Sequence, residues 1–537
     1  MSEPTAPLPT SAGSTSAWAP LSSPVFRMLW AVWLTANVCM WMNDVAAAWL
    51  MTSLTSSPVM VALVQSASTL PVFLLGIPSG ALADILDRRR YFMVTQFWVA
   101  GVATLLAVVI ASGGVSPPLL LALTFLNGIG LAMRWPVFAA IVPELVPRMQ
   151  LPAALGLNGI AMNASRIVGP IVAGALIAGV GPAWVFVLNA LLSVVAGFVI
   201  MRWRSERKPG ALPGERFVGA IRVGVIYVWQ SRRIKAVLLR VFVFFLNSTV
   251  LIALLPLEAR RLQGGGAGTF TLLLAAMGAG AIVAVVLLPR LRAALDRNQV
   301  VRNGTLLHSA ATVCVAFAPS VWLALPAMVV AGMAWISTAN SLTISAQLAL
   351  PNWVRARGMA IYQMFLMGGS AFGAALWGQV ASWTDVHSAL LGAAGCALLA
   401  LMATLRLRVD GGEEEDLTPS TELRPPERSE HVRHEDGPVL VTIEYLIDPL
   451  RADQFRAVMA ESRRSRLRLG ALSWELFRDV NDSGRYIEYF VDETWVEHLR
   501  RFDRVTASDI TLREKRLAFH IGQDPPKVSR AIAEPMG

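Results

Sequence analysis

Gly76-Ile-Pro-Ser-Gly80-Ala-Leu-Ala-Asp84-Ile-Leu-Asp87-Arg88-Arg89-Arg90 closes a long, uncharged apolar run. Gly76 and Gly80 are four residues apart, so on a helix they share one face and let a neighbouring helix come close. Asp84 lies one turn further on, and Arg88 one turn beyond that. The pattern predicts a helix leaving a membrane, with a carboxylate at its mouth and a cationic loop outside. An ordinary helix end with snorkelling arginines is the plainer alternative.

The rest of the chain supports the membrane reading. Of 537 residues, 55% are hydrophobic and only 15% charged, against about 25% charged in soluble domains. Mean hydropathy is +0.54. A spanning helix needs about 20 mostly apolar residues. Such runs are expected near 28–52, 58–84, 91–112, 117–142, 152–179, 182–202, 236–257, 267–289, 300–318, 320–348, 358–383 and 386–405. Cys39, Cys314 and Cys396 sit inside these runs and read as small buried hydrophobes, not as a disulfide framework or metal cluster. Residues 1–24 read as a disordered tail without the basic start of a signal peptide.

Net charge is +10, but its placement argues against a nucleic-acid footprint. Arg88–Arg90, Arg148, the nine basic residues between Arg202 and Lys235, Arg290, Arg292, Arg297, Arg355, Arg357, Arg406 and Arg408 all follow even-numbered spans. Arg260 and Arg261 are the exception. Positive loops mark the cytoplasmic side, so both termini are expected in the cytoplasm. The basic segment 204–235 then divides the spans into a first half, 25–203, and a second half, 236–408.

Two six-helix halves, and the Gly80…Asp84…Arg88-Arg89 spacing between spans 2 and 3, resemble the major facilitator superfamily. The resemblance implies an all-α membrane fold whose halves rock around a midplane site, with Gly76, Gly80, Asp84, Arg88 and Arg89 as a gating motif. In span 5, Gly169-Pro170…Gly174 resembles the Gly-Pro motif of the superfamily's exporters, with one glycine of the terminal pair shifted or missing. Trp41-Met-Asn43-Asp44…Trp49, Arg166-Ile-Val-Gly-Pro and Arg355-Ala-Arg357-Gly358 resemble the branch of the enterobactin exporter and the transmembrane secretion effectors. That branch implies proton-driven export of small molecules across a bacterial inner membrane.

An ionisable residue within a span is costly and is a functional candidate. Asp44 lies 17 residues past Arg27, and Arg166 lies 18 past Arg148. At 1.5 Å per residue these are about 25 and 27 Å up their helices. An Asp44–Arg166 ion pair is expected, serving either as a proton-coupling switch or as a static brace. Arg134 meets Asp84, lines the substrate cavity, or snorkels to the interface; Asn43 and Asn163 are further cavity candidates. Glu258 is expected to face water.

The tail is different in kind. Residues 409–437 read as an acidic linker, and 438–537 as a soluble α+β domain of ferredoxin-like order βαββαβ, its fourth strand near Arg516 to Ile521. Trp474-Glu-Leu-Phe477 and Trp495-Val-Glu-His498 resemble antibiotic-biosynthesis-monooxygenase domains. Members of that group are oxygenases, ligand binders or dimerisation modules. The resemblance makes Trp474, Trp495 and His498 pocket candidates, and a dimer through this domain a candidate partner arrangement. No metal spacing, catalytic triad or phosphate loop accompanies them, so no catalytic residue and no cofactor is expected. The expected partners are a small-molecule substrate, protons and the lipid bilayer.

Overall fold

The computed structural model describes residues 16, 18–203, 217–262, 265–351, 353–407, 416–420, 422–423, 425–426 and 432–534. Among them, twelve long helices follow the expected runs. The first half holds α1 (Pro24–Leu54), α2 (Pro58–Ile85), α3 (Arg88–Ala111), α4 (Pro117–Leu145), α5 (Leu151–Gly179) and α6 (Ala183–Arg202). A shorter helix, α7 (Phe217–Gln230), precedes the second half: α8 (Arg232–Arg261), α9 (Ala267–Ala294), α10 (Arg297–Ala316), α11 (Val321–Leu348), α12 (Arg355–Trp383) and α13 (Val386–Thr404).

Pro24, Pro58 and Pro117 open their helices, where the missing N–H costs nothing. Asp87 caps α3 by accepting from the Arg90 amide at 2.8 Å. Among the described residues, eleven helices are long and apolar enough to cross a membrane, by length and composition alone. The twelfth, α10, carries Arg302, Asn303 and His308, yet it packs against α11 and α13 like its neighbours.

Several expectations need correction at this level. Ala19–Ser22 forms a short 3-10 turn within the segment read as disordered, while residues 1–15 and 17 lie outside the described residues. The central segment is not all loop: α7 packs against α8 and α12. Its basic flanks hide it, because its apolar face is only one side of a 14-residue helix. Cys39 is buried, but Cys314 and Cys396 lie on the outer surface of the bundle.

The two halves meet unequally along their length. At the end away from Arg88–Arg90, one apolar cluster runs through both halves, from Met42, Leu50 and Val61 to Leu254, Phe270 and Met328. Trp49 of α1 stacks on Phe270 of α9 at 6.0 Å, and Arg260 lies over Trp49 at 4.9 Å. Glu258 is not in water: it is buried and accepts from Arg261, which also donates to the Ala316 and Ala318 carbonyls. These contacts account for the two basic residues at the far end. Towards the basic end there are two further clusters, one around Trp33, Phe92 and Phe138, the other around Tyr227, Phe245 and Tyr362, which Ile77 of α2 joins from the first half. The far end is thus closed by a core shared between the halves, and towards the basic end α2 and α12 stay in contact, where a Cβ at Gly76 would stand 3.0 Å from Met364.

The tail has strands β1 (Val439–Leu446), β2 (Ser473–Arg478), β3 (Arg485–Asp492) and β4 (Lys527–Ile532), with helices α14 (Ala452–Arg468), α15 (Trp495–Asp503) and α16 (Ala507–Leu517). The antiparallel order β2-β3-β1-β4 is the ferredoxin-like arrangement. The fourth strand lies further along the chain than expected, because Arg516 belongs to α16. Gly470, at φ +111°, ends α14 in the left-handed region and turns the chain towards β2. The acidic linker is only partly separate. Residues 408–415 lie outside the described residues, but the Ser420 amide donates to the Val505 carbonyl and the Ala507 amide to the Thr418 carbonyl, both at 3.0 Å.

Candidate functional site: the mid-height seam between the halves

Arg166 sits on α5 about 22 Å from the helix start. Its guanidinium carbon lies 4.6 Å from the centre of the Trp335 ring of α11 and 5.7 Å from that of Trp41 of α1. Trp335 belongs to the other half, so this arginine crosses the seam. Its Nη1 is buried without a hydrogen-bond partner.

Asp44 does not meet it. The Asp44 carboxylate accepts from the Ser68 hydroxyl of α2 at 2.9 Å, and among the described residues no ion pair joins it to Arg166. The expected pair fails because α5 begins only at Leu151, after a 3-10 turn over Arg148–Gln150. Counted from the helix starts, Asp44 is about 30 Å up and Arg166 about 22 Å. The two also face different neighbours, which axial counting does not reveal. Ser68 lies in view in the polar run Gln65-Ser66-Ala-Ser68-Thr69, and Trp335 is a tryptophan far from the interfaces where this residue collects.

Arg134 of α4 does not snorkel. It is 3% exposed, lies 5.7 Å from the Trp33 ring centre, and its Nε has no partner. Trp33 in turn stacks on Phe138 at 4.1 Å. The Asp84 side chain lies outside the described residues, so the expected meeting with Arg134 has no counterpart in the contacts. Asn43 accepts from Asn189 at 3.4 Å, and Ser193 donates to Asn189 at 3.2 Å. Asn163 donates to the Gly159 carbonyl of its own helix at 2.9 Å.

Two of the four motif glycines, Gly76 and Gly174, lie on contacts between the halves. A Cβ at Gly76 would stand 3.0 Å from Met364 of α12, in the other half, whereas Gly80 faces open space. Gly169 lets α5 lie on α1, against Trp41 and the Val38 carbonyl. Gly174 lets α5 lie on α9, where a Cβ would meet Thr271 at 2.1 Å. Pro170 stands between them inside α5. Arg88 pairs with Glu144 of α4, and Arg89 donates to the Met201 carbonyl of α6, both within the first half.

A family profile described as transmembrane secretion effector matches residues 15–536. The chain belongs to this family. The match runs through the tail, well past the residues that carry the sequence motifs. Among curated relatives, the chain is 21% identical over 251 residues to the staphyloferrin A transporter of Staphylococcus aureus, covering 47% of the chain and 63% of that protein. It is 26% identical over 176 residues to macrolide efflux protein A of Streptococcus pyogenes, covering 33% and 42%. The chain thus spans less than two thirds of either relative. Among solved structures, the nucleoside transporter NupG superposes with a TM-score of 0.57 at 12% identity, over 72% of this chain and 99% of that one. A bacterial homologue of the lysosomal transporter Spinster, inward-facing and occupied, gives 0.53 at 17% identity, over 72% and 94%. The helical part has the major facilitator fold.

Two of the expected pocket residues of the tail, Trp474 and His498, sit in a hydrogen-bonded network, while the Trp495 indole Nε1 is buried without a partner. The His498 imidazole bonds Asp492 through Nδ1 at 2.8 Å, and its Nε2 accepts from Arg530 at 3.1 Å. Trp474 donates to Glu488 at 2.9 Å, and Trp495 is buried. Glu488 also takes the Tyr445 hydroxyl and Arg466, each at 3.0 Å. Burial alone would raise the Glu488 carboxyl, but the Arg466 and Arg516 charges outweigh it and hold the group at about 2. Burial is likewise outweighed at Asp492, where Arg501 and His498 hold the carboxyl low. A network engaged on this scale fixes a fold and occupies both carboxylates and both nitrogens of the imidazole.

The tail docks on the second half. Arg222 of α7 pairs with Glu493, and Arg504 lies 5.1 Å from the ring centre of Trp353, just before α12. Trp353 packs with Leu423, Leu469, Val505 and Ile510 in one small apolar cluster.

Proposed function

We propose that this protein is a proton-driven exporter of a small amphipathic molecule in a bacterial inner membrane, with both termini in the cytoplasm. Asp44 carries the reading. It is a carboxylate inside a span, bonded to a hydroxyl rather than to a cation, and it can take up a proton without breaking an ion pair. Protonation would weaken its hold on Ser68 and so loosen α1 from α2. The concentration of arginines at one end supports the orientation. The efflux named in relatives such as macrolide efflux protein A supports the direction.

The test uses inside-out vesicles supplied with a mixed extract of small amphipathic metabolites and an inwardly acidic gradient. Export predicts accumulation of a specific compound, lost with an uncoupler and in Asp44→Asn. Accumulation that ignores both would remove proton coupling while keeping transport.

A second reading concerns the tail. Leu440, Leu446 and Phe477 are exposed on the sheet, and Phe477 stacks on Tyr489 at 5.5 Å. An apolar sheet face of this kind supports self-association, and the engaged nitrogens of His498 favour an interaction module over an oxygenase. Concentration-dependent dimerisation lost in Phe477→Glu is the expected result.

A further inference from the structure

Two guanidinium groups, those of Arg134 and Arg166, are held within the first half with no carboxylate partner among the described residues. The acid expected to neutralise one of them, Asp44, is bonded to Ser68 instead. A cation in a low-dielectric setting needs compensation. Here it comes from ring faces: Trp33 for Arg134, and Trp41 with Trp335 for Arg166. Ring faces attract a guanidinium less strongly than a carboxylate does. Among the described residues, these two cations in the interior of the first half face the single carboxylate of Asp44, which pairs with neither.

The two arginines are not equivalent. Arg134 is sealed beside the Trp33–Phe138 stack and leaves little room for a ligand. Arg166 is half-buried, has an orphaned buried Nη1, and bridges both halves at mid-height. We infer that Arg166, flanked by Trp41 and Trp335, is the anion-binding element of the cargo site, and that the cargo carries a carboxylate or similar planar anion beside a flat apolar body. The inference rests on the transporter reading. A carboxylate accepts two parallel N–H bonds from a guanidinium, and the flat body takes the ring face that the guanidinium now covers. Drawing Arg166 away from Trp335 would also release a contact between the halves, so binding and rocking share one residue.

The experiment uses the full chain in lipid nanodiscs and three matched probes: naphthoate, naphthylmethanol and naphthylmethylammonium. Equilibrium dialysis is expected to show naphthoate bound at least about tenfold more tightly than either of the others, as a charge-assisted pair would give. Arg166→Gln should erase that preference, leaving the carboxylate bound no more tightly than the alcohol, while Arg166→Lys restores part of it. Trp335→Leu should weaken both the carboxylate and the alcohol. A carboxylate that binds no better than the alcohol, that fails to bind below millimolar, or that keeps its preference in Arg166→Gln would overturn the inference. Flux of the same probes into inside-out vesicles separates it from the reading beneath. Movement of the alcohol or ammonium alone keeps the transporter and overturns the anion site. Selective carboxylate binding without any flux supports the anion site and counts against transport.

Discussion

The Arg166 guanidinium carbon lies 4.6 Å from the centre of the Trp335 ring, which joins the two halves at mid-height. A cation–π contact at a partly desolvated site is worth about 1 kcal/mol, roughly a fivefold change in a two-state population. Trp335→Ala should therefore shift the balance between conformations parted and closed at the basic end. Spin labels at Met149 and Leu348, one exposed site on each half near that end, would report it as a redistribution between two distances. An unchanged distribution would show that the contact does not set the balance.

A Cβ added at the glycines would meet backbone at some positions, a side chain at others and nothing at the rest. A Cβ at Gly332 of α11 would stand 1.9 Å from the Met277 carbonyl oxygen of α9, where no rotamer change gives relief. Gly332→Ala should cost several kcal/mol or prevent folding. Gly80→Ala meets nothing within 4 Å and should leave thermal stability within about 0.5 kcal/mol. If Gly80 is needed when the basic end closes, the same variant will lose transport while keeping its melting temperature. Thermal unfolding in detergent and vesicle flux, measured on both variants, separate the two effects.

Glu488 makes the tail acid-sensitive in a defined direction. Its folded pKa of about 2 lies below the ordinary 4.5. The stability it contributes is therefore fully present at neutral pH and is lost as pH falls from about 4.5 to about 2. The amount is on the order of 3 kcal/mol. Glu488→Gln should destabilise the tail at neutral pH, because Arg466 and Arg516 lose their buried counter-charge, and should flatten the dependence between about pH 5 and about pH 3. Pepsin cleavage of the tail in the full-length protein, followed over this range, is the readout. A variant that keeps the native slope would contradict the assignment.

Two contacts hold the tail to the transporter, and they should differ in weight. The Arg222–Glu493 pair is about one-third exposed on both sides, so its loss should cost no more than about 1 kcal/mol of docking. Trp353→Ala removes a ring from an apolar cluster and a cation–π partner from Arg504, and should cost about 2–4 kcal/mol. Hydrogen exchange in α7 and α14 should rise strongly in Trp353→Ala and slightly in Arg222→Ala. Equal effects would mean that the interface is electrostatic.

The helical fold is legible because a bilayer demands long apolar runs, and each of the twelve is written in the chain. Even α10, diluted by Arg302 and His308, stands out from its place between clearer neighbours. The site is less legible. Distance along a helix axis is fixed by residue count, but the direction a side chain faces relative to another helix is set by packing. The cost of a charge in a membrane marks Asp44 and Arg166 as candidates. Their partners, Ser68 and Trp335, come from helices that no local pattern connects to them. In the tail, β4 is a weak strand signal, with only Val528, Ala531 and Ile532 apolar. Arg516–Ile521 competes with it, although its first residues complete the amphipathic α16.

Proton movement tests the proposed mechanism most directly. Purified protein in liposomes, with a pH-sensitive dye inside and the compound identified by vesicle accumulation added outside, should move protons against that compound's flux in the native chain. Asp44→Asn should keep binding the compound and move no protons. Proton flux that persists in Asp44→Asn, or compound flux without protons in the native chain, would contradict Asp44 as the coupling group.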